Sequence, residues 1–598
     1  MAAPGEQSSG SEAGQTPGQA PEQKPGGTSR RAFLTAGGIA AAGVIAGGVA
    51  GGVIGHERGV NDASAGARAD QPTPDPGAAP GIEHIIVLMG ENRSFDNLLG
   101  FLYTPDDLPS GQTFDGIAFG DYSNSTLDGR TVAAHVYAGP TDEIMSRPDP
   151  DPGEEYPHVN TQLFGTVDPP SNAGIAVEDM KAPFNAPAAR AKPTMSGFLA
   201  DYGSEYRHLR GGSPPSPEAA AHIMGSFSPE MLPVLSTLAR NFALYDAWHC
   251  AVPSQTFCNR SFFHASTSHG FVTNKGGAGY SKWLDAPADP TVFNRLEDAG
   301  IDWRIYFDDL QLVSLTGVLH APALEKYWRT AHFAPMSQFY TDVADGKLAP
   351  YSFVEPRLIY DHNDFHPPVG RLRESDLDGE PVIDSAISDV RAGEALVHRI
   401  YDAVRTSAAT TGSNALNTLL LITFDEHGGT YDHVPPPDAT PPGGKGAKDP
   451  GEMGFTFDRL GCRVPAIAIS AWTASGSVIN DPMHHGSLIA TLSKLHGLKP
   501  LTERDDGAPD ILNAVTLRTP RDPRTWPTTT PQYSPPNPES TPHPAQKDRD
   551  HPLSPPGRGL VGLLIAKYGA PGEAEPQTYG DAFDLLQKYG TGLFGVPR

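Results

Sequence analysis

Five short stretches of this chain are apolar at most positions: Ile82–Met89, Trp303–Phe307, Tyr351–Val354, Thr418–Phe424 and Val464–Ser470. A strand with one wet face alternates apolar with polar residues, so runs like these need cover on both faces. Strands of that kind belong to a parallel sheet sandwiched by helices. Segments with helical spacing do lie between them, at Met231–Phe242 and Arg391–Val404. A third spans Ser487–Gly497, with Ser487 placed as its N-cap and Gly497 as its stop. The chain therefore reads as an α/β fold.

Two of these runs end on charge. Ile82–Met89 passes through Gly90 into Glu91, Asn92, Arg93, Ser94 and Asp96, and Thr418–Phe424 passes into Asp425, Glu426 and His427 before a Gly-Gly turn. Ligands of open α/β sheets bind beyond the carboxyl ends of strands. If the two tips meet, Glu91, Asn92, Asp425 and Glu426 form one set of hard oxygen donors. Three carboxylates that close repel one another unless a cation sits among them. Oxygen donors suit Mg, Ca, Mn or iron better than a structural zinc, so the expectation is a divalent cation of open identity. The competing reading makes them helix caps and loop carboxylates in water; the repetition of one pattern at two strand ends favours the cation. A nucleophile is then needed, and Tyr245–Gly270 supplies Ser254, Thr256, Asn259 and Arg260. A hydroxyl held by a cation ionises more readily. Chemistry alone does not choose between Ser254 and Thr256.

The chain has 44 basic and 70 acidic side chains, a formal charge of −26. That balance argues against a nucleic-acid partner, which needs clustered Lys and Arg. Residues 1–27 are Gly, Pro, Ser and Gln and are expected to be disordered. Arg30 and Arg31 then precede Phe33, Leu34 and a Gly/Ala-rich run, the pattern of a twin-arginine export signal. Such a run is a poor lipid-spanning helix, so no stable transmembrane span is expected after processing. The expected destination is secreted, extracellular or at the cell surface, with the twin-arginine machinery as a partner. Three parts follow: 1–80 as export region and linker, 81–525 as the catalytic domain, and 526–598 as a Pro-rich linker with helix candidates at Leu560–Lys567 and Asp581–Lys588. Cys250, Cys258 and Cys462 allow one disulfide at most, and a Cys250–Cys258 bridge and free core thiols both stay open. The acidic insert Arg371–Asp384 has a D-x-D-G core without the other calcium-loop ligands, and reads as a solvated loop.

Six motifs, "ENRSFDNLLG", "VPSQTFCNRSFFHA", "HPP", "DVRAGEAL", "FDEHGGTYDHVPPP" and "FDRLGCRVPAIAIS", stand in this order between about Gly81 and Asp510. Together they resemble the bacterial phosphoesterase family of secreted phospholipases C and acid phosphatases. The resemblance implies an alkaline-phosphatase-like fold, a mostly parallel central sheet with helices on both faces. It implies Glu91, Asn92, Asp425 and Glu426 as metal ligands, and Thr256, not Ser254, as a nucleophile that also touches the metal. It places His366 as phosphoryl contact or leaving-group acid, Asn259 in the catalytic segment, and His158, Asn92 and His427 against substrate. It also marks His485 as the equivalent of a family histidine. Two departures stand out: Cys258 takes a place often held by Pro, and His484 stands where the family has Asp. Threonine with an Asp-Glu pair resembles the phospholipase C branch, which works through a phosphothreonine on a phospholipid or other phosphoester. The alternatives are an acid phosphatase acting on monoesters, and a non-catalytic surface binding protein on the same fold.

Overall fold

The apolar runs pair into one eight-stranded sheet. The computed structural model describes residues 81–595 except 127–128, 188–190, 310, 360–361, 368–373, 378–379, 384–388, 448–449, 533–548 and 550–552. The expected export region, 1–80, lies outside the described residues, as do residues 533–548 of the Pro-rich stretch. In chain order the strands are β1 (His84–Gly90), β2 (Ala243–Tyr245), β3 (Trp303–Phe307), β4 (Phe333–Pro335), β5 (Tyr351–Val354), β6 (Thr418–Phe424), β7 (Ala466–Ser470) and β8 (Ser477–Ile479). Across the sheet they run β8-β2-β7-β6-β1-β5-β3-β4. All neighbours are parallel except β7, which opposes both β6 and β2.

Every residue of β6 is buried, and every residue of β1 after His84. Both faces of the sheet centre are thus covered, as uninterrupted apolar runs demand. The five expected strands are all present. The three additional ones, β2, β4 and β8, have three residues each, too few to show a period.

The helices that matter below are α1 (Phe95–Leu99), α2 (Tyr156–Phe164), α3 (Phe198–Leu209), α4 (Pro233–Asn241), α5 (Thr256–Ala265), α6 (Val390–Thr406), α7 (Gly486–His496), α8 (Pro555–Tyr568) and α9 (Tyr579–Leu585). Helix α7 stops at Gly497 in the left-handed conformation, φ 64°, the geometry a glycine after the last turn permits. Its expected N-cap moves: His485 precedes the helix, and the Ser487 hydroxyl accepts from the His484 amide at 3.2 Å. Helix α4 opens without a side-chain cap of its own. Glu394 of α6 supplies it, accepting from the amides of Val234 and Leu235 at 2.9 and 2.7 Å. Helices α8 and α9 occupy the two candidate positions near the C-terminus. Leu560, Val561, Leu563 and Leu564 of α8 are fully buried in the main core.

Two sequence expectations change. The acidic insert contains a hairpin, Glu374–Leu377 paired antiparallel with Glu380–Ile383, where a loop was expected. Its joining pair is Asp-Gly, a combination that favours tight hairpin turns, although residues 378–379 lie outside the described residues. All three cysteines are free and buried, so the open alternative resolves to thiols packed in the core. Among the described residues no helix is long and apolar enough to cross a membrane.

Candidate active site

Parallel pairing of β1 with β6 brings the two charged strand ends together. Gly90 stands opposite Phe424, so Glu91 and Asp425 leave the sheet side by side. The Asp425 amide donates to the Gly90 carbonyl at 3.1 Å, and the Arg93 amide donates to the Glu426 carbonyl at 3.1 Å. The Asn92 amide donates to Asp425 Oδ1 at 3.2 Å. Asn92 itself is left-handed, φ 58°, a conformation that asparagine tolerates better than most residues. Gly428, φ 58°, closes the second tip against it, and a Cβ there would stand 2.2 Å from the Asn92 carbonyl oxygen. The Gly-Gly turn after Asp425–His427 is therefore a packing requirement of this site.

Thr256 is the first residue of α5. At that position its hydroxyl sits at the end of a helix where unpaired amides give a partial positive charge. The structure separates the two candidate hydroxyls. Ser254 Oγ donates to the Val272 carbonyl, whereas Thr256 Oγ1 is buried with no hydrogen-bond partner among the described residues. Asn259 commits its amide to backbone: its Oδ1 accepts from Val252, and its Nδ2 donates to the carbonyls of Val252 and Ser254. It shapes the turn that carries Thr256. One turn beyond Thr256, Arg260 donates from Nη2 to Glu91 Oε1 at 2.6 Å and from Nε to Asp425 Oδ2 at 3.1 Å. All three side chains are fully buried, so the helix that carries Thr256 is bolted to both strand ends.

Four of the five expected ligands each keep an unused buried oxygen: Glu91 Oε2, Asn92 Oδ1, Thr256 Oγ1 and Glu426 Oε1 have no partner among the described residues. Buried polar atoms are nearly always paired, so these four, on the two strand tips and on the helix that Arg260 ties to them, are open to a ligand. The charges agree. Burial, then the Asp425 charge, push the carboxyls of Glu91 and Glu426 well above their usual range. Burial also raises Asp425, against the pull of Arg260. A divalent cation would relieve all three, and their hard oxygen donors suit one. Among the described residues, the carboxylate–histidine groups whose donor atoms already converge within 4.8 Å are the neighbouring Asp151, Glu154 and His366, and Asp96, Asp432 and His433.

Beside this set lies a group the sequence did not single out, Asp151 and Glu154, joined by His366. One donor atom from each lies within 4.8 Å of the other two, and all three residues are buried. Glu154 accepts from Asn92 Nδ2 and lies 3.4 Å from Gln255 Nε2, which ties it to the first tip and to the residue before Thr256. His366 donates Nδ1–H to the Pro367 carbonyl at 2.5 Å, since a carbonyl only accepts. Its Nε2 is then a lone pair, unpartnered and 3.8 Å from Asp151 Oδ2. Burial holds the ring neutral by pushing it down to about 4.

The remaining histidines are held by neighbours. His158, on α2, lies 2.9 Å from Asp201 and 3.4 Å from Glu205 of α3. Burial alone would lower it, but Asp201 outweighs that and raises it to about 10. Both its nitrogens are engaged by carboxylates, where the sequence resemblance places it against substrate. His427 Nε2 donates to Gln162 Oε1 at 2.8 Å, and its Nδ1 faces Glu426 Oε2 at 3.4 Å. His485 Nε2 donates to the Asp425 carbonyl at 2.6 Å and accepts on Nδ1 from Trp248 at 3.3 Å, fixing the second tip from behind.

Buried carboxylates with spare oxygens, and an unpartnered hydroxyl on the helix tied to them, at the carboxyl edge of a mostly parallel sheet, are equipment for transferring an anionic group. Comparison with known proteins is specific about which group. The Phosphoesterase family profile matches residues 82–499. Non-specific phospholipase C4 of Arabidopsis thaliana is 32% identical over 452 residues, 74% of this chain and 73% of that protein. Phospholipase C A of Mycobacterium tuberculosis is 24% identical over 494 residues, 75% and 79% of the two chains. Among solved structures, an alkaline phosphatase superfamily protein from Vibrio parahaemolyticus covers 61% of this chain and 83% of its own, with a TM-score of 0.26 and 11% identity. This chain belongs to the phosphoesterase family, and it is a phosphoric ester hydrolase.

Proposed function

We propose that the protein is an exported, metal-dependent phosphodiesterase of phospholipase C type, working through a phosphothreonine at Thr256. The observation that carries this reading is the Thr256 hydroxyl, buried without a partner among the described residues on the helix that Arg260 ties to Glu91 and Asp425. The relatives named phospholipase C support a phospholipid as substrate, and the Arg30–Arg31 motif supports export.

A divalent cation held by Glu91, Asn92, Asp425 and Glu426 would favour ionisation of the hydroxyl and offset phosphoryl charge. Thr256 Oγ1 attacks phosphorus as the bond from phosphorus to the lipid alcohol breaks, and a proton passes to the leaving oxygen. Water then attacks phosphorus, the bond to Thr256 breaks, and a proton returns to the hydroxyl. Arg260 keeps α5 in register with both carboxylate tips throughout. His366 delivers the leaving-group proton only when both its nitrogens are protonated. Burial holds it near 4 in the free protein, so the ring takes up that proton, released by the Thr256 hydroxyl, only once the anionic substrate is bound.

Diester and monoester chemistry separate on chromogenic substrates. Turnover of p-nitrophenylphosphorylcholine is expected to exceed that of p-nitrophenyl phosphate by at least about tenfold in kcat/KM, the size of one differential contact. The reverse preference would make the enzyme an acid phosphatase.

A further inference from the structure

The C-terminal segment 553–595 lies beyond the family-matched residues 82–499, yet it reaches two walls of the site. On one wall α8 lies against Phe257, the residue after Thr256. A methyl group on Gly559 would stand 2.5 Å from Phe257 Cζ, so the helix can sit this close only where it carries no side chain. On the other wall Tyr579, the first residue of α9, holds its hydroxyl 2.8 Å from His362 Nε2. Ser554 Oγ is 3.4 Å from the same nitrogen.

From His362 the contacts continue inward. His362 Nδ1 is 2.9 Å from Asp364 Oδ2. The carboxylate accepts, so Nδ1 carries the hydrogen, and the tyrosine hydroxyl and Nε2 hydrogen-bond on the far side of the ring. Asp364 Oδ1 in turn accepts from the His366 amide at 3.0 Å, and the Asp364 carbonyl accepts from the Glu91 amide at 2.7 Å. His362, Asp364, His366 and Glu91 are all buried, and Tyr579 is 4% exposed. Asp364 sets the hydrogen on Nδ1 of His362, the phenol holds the tilt of the ring from the other side, and His362 holds the Asp364 carboxylate.

We propose that Tyr579 is a positioning residue for phosphoester hydrolysis, setting the backbone of His366 and Glu91 through His362 and Asp364. The C-terminal segment is then part of the active-site frame. This inference rests on the reading of Glu91 and His366 as site residues.

Three full-length variants test it: Tyr579→Phe, His362→Asn and the double variant, assayed on p-nitrophenylphosphorylcholine. Asparagine keeps an amide donor for Asp364 where the histidine has Nδ1, and offers nothing to Tyr579. Each single variant is expected to lose about 5–10-fold in kcat, the value of one buried hydrogen bond, with KM unchanged and the protein still folded, its thermal midpoint only slightly lowered. The double variant should fall no further than either single one, because both cut the same link. A folded Tyr579→Phe protein with wild-type kcat, or losses that multiply in the double variant, would overturn the proposal. So would unfolding of Tyr579→Phe, which would make the hydroxyl a stability contact only. Thr256→Ala assayed in parallel distinguishes the failures: an active Thr256→Ala enzyme sinks the mechanism itself, whereas an inactive one leaves only the role of Tyr579 in question.

Discussion

Thr256→Ala is expected to lower kcat by about 10⁴-fold or more, the scale seen when a nucleophile is removed from a site that otherwise stays whole. The geometry explains why the loss should be chemical. Thr256 Oγ1 makes no hydrogen bond among the described residues, so its removal breaks no polar contact. The Arg260 pairs to Glu91 and Asp425 hold α5 in place without it. The thermal midpoint should therefore stay at the wild-type value. Ser254→Ala is the informative companion: that hydroxyl is tied to the Val272 carbonyl, so its loss should affect stability while much of the turnover remains. Steady-state kinetics on the two variants, with circular dichroism to confirm folding, make the comparison. An active, folded Thr256→Ala enzyme would remove the phosphothreonine route.

Arg260→Met is expected to be the most destabilising single change near the site. It deletes the guanidinium that pairs two fully buried carboxylates and leaves both charges uncompensated. Removing one partner from a buried ion pair typically costs about 3–5 kcal/mol. Methionine fills much of the volume, so packing loss contributes little. The midpoint of urea unfolding in chelator-treated buffer should fall accordingly, and adding a divalent cation should recover part of the loss by supplying positive charge to the same oxygens. An unchanged midpoint would mean that Glu91 and Asp425 take up protons at no cost and that Arg260 is not what balances them.

The centre of this fold was legible because burial on both faces leaves a mark in the sequence. Trp303–Phe307, Tyr351–Val354 and Thr418–Phe424 coincide with the observed strands. The convergence of Glu91 with Asp425 could also be anticipated, since parallel neighbours end at the same edge. What stayed hidden has physical reasons. Strands of three residues, such as Ala243–Tyr245, carry no period. Asp151 and Glu154 sit in "RPDPDPGEEY", an acidic and proline-rich stretch with the composition of an exposed loop. Only the three-dimensional path brings it over Asn92. Arg260 was visible in the motif, but its work as the link between two strand ends depends on a helix direction that local pattern does not encode. Tyr579 lies more than 200 positions from His362, and no local feature could join them.

The claim beneath all of this is that the two strand ends hold a divalent cation beside Thr256. Metal analysis of the purified full-length protein, compared with a Glu91→Gln/Glu426→Gln variant, tests it most directly. The account predicts bound divalent metal in the wild-type protein and its loss in the variant, with the variant still folded. Metal retained at the wild-type level after both carboxylates are neutralised would contradict it.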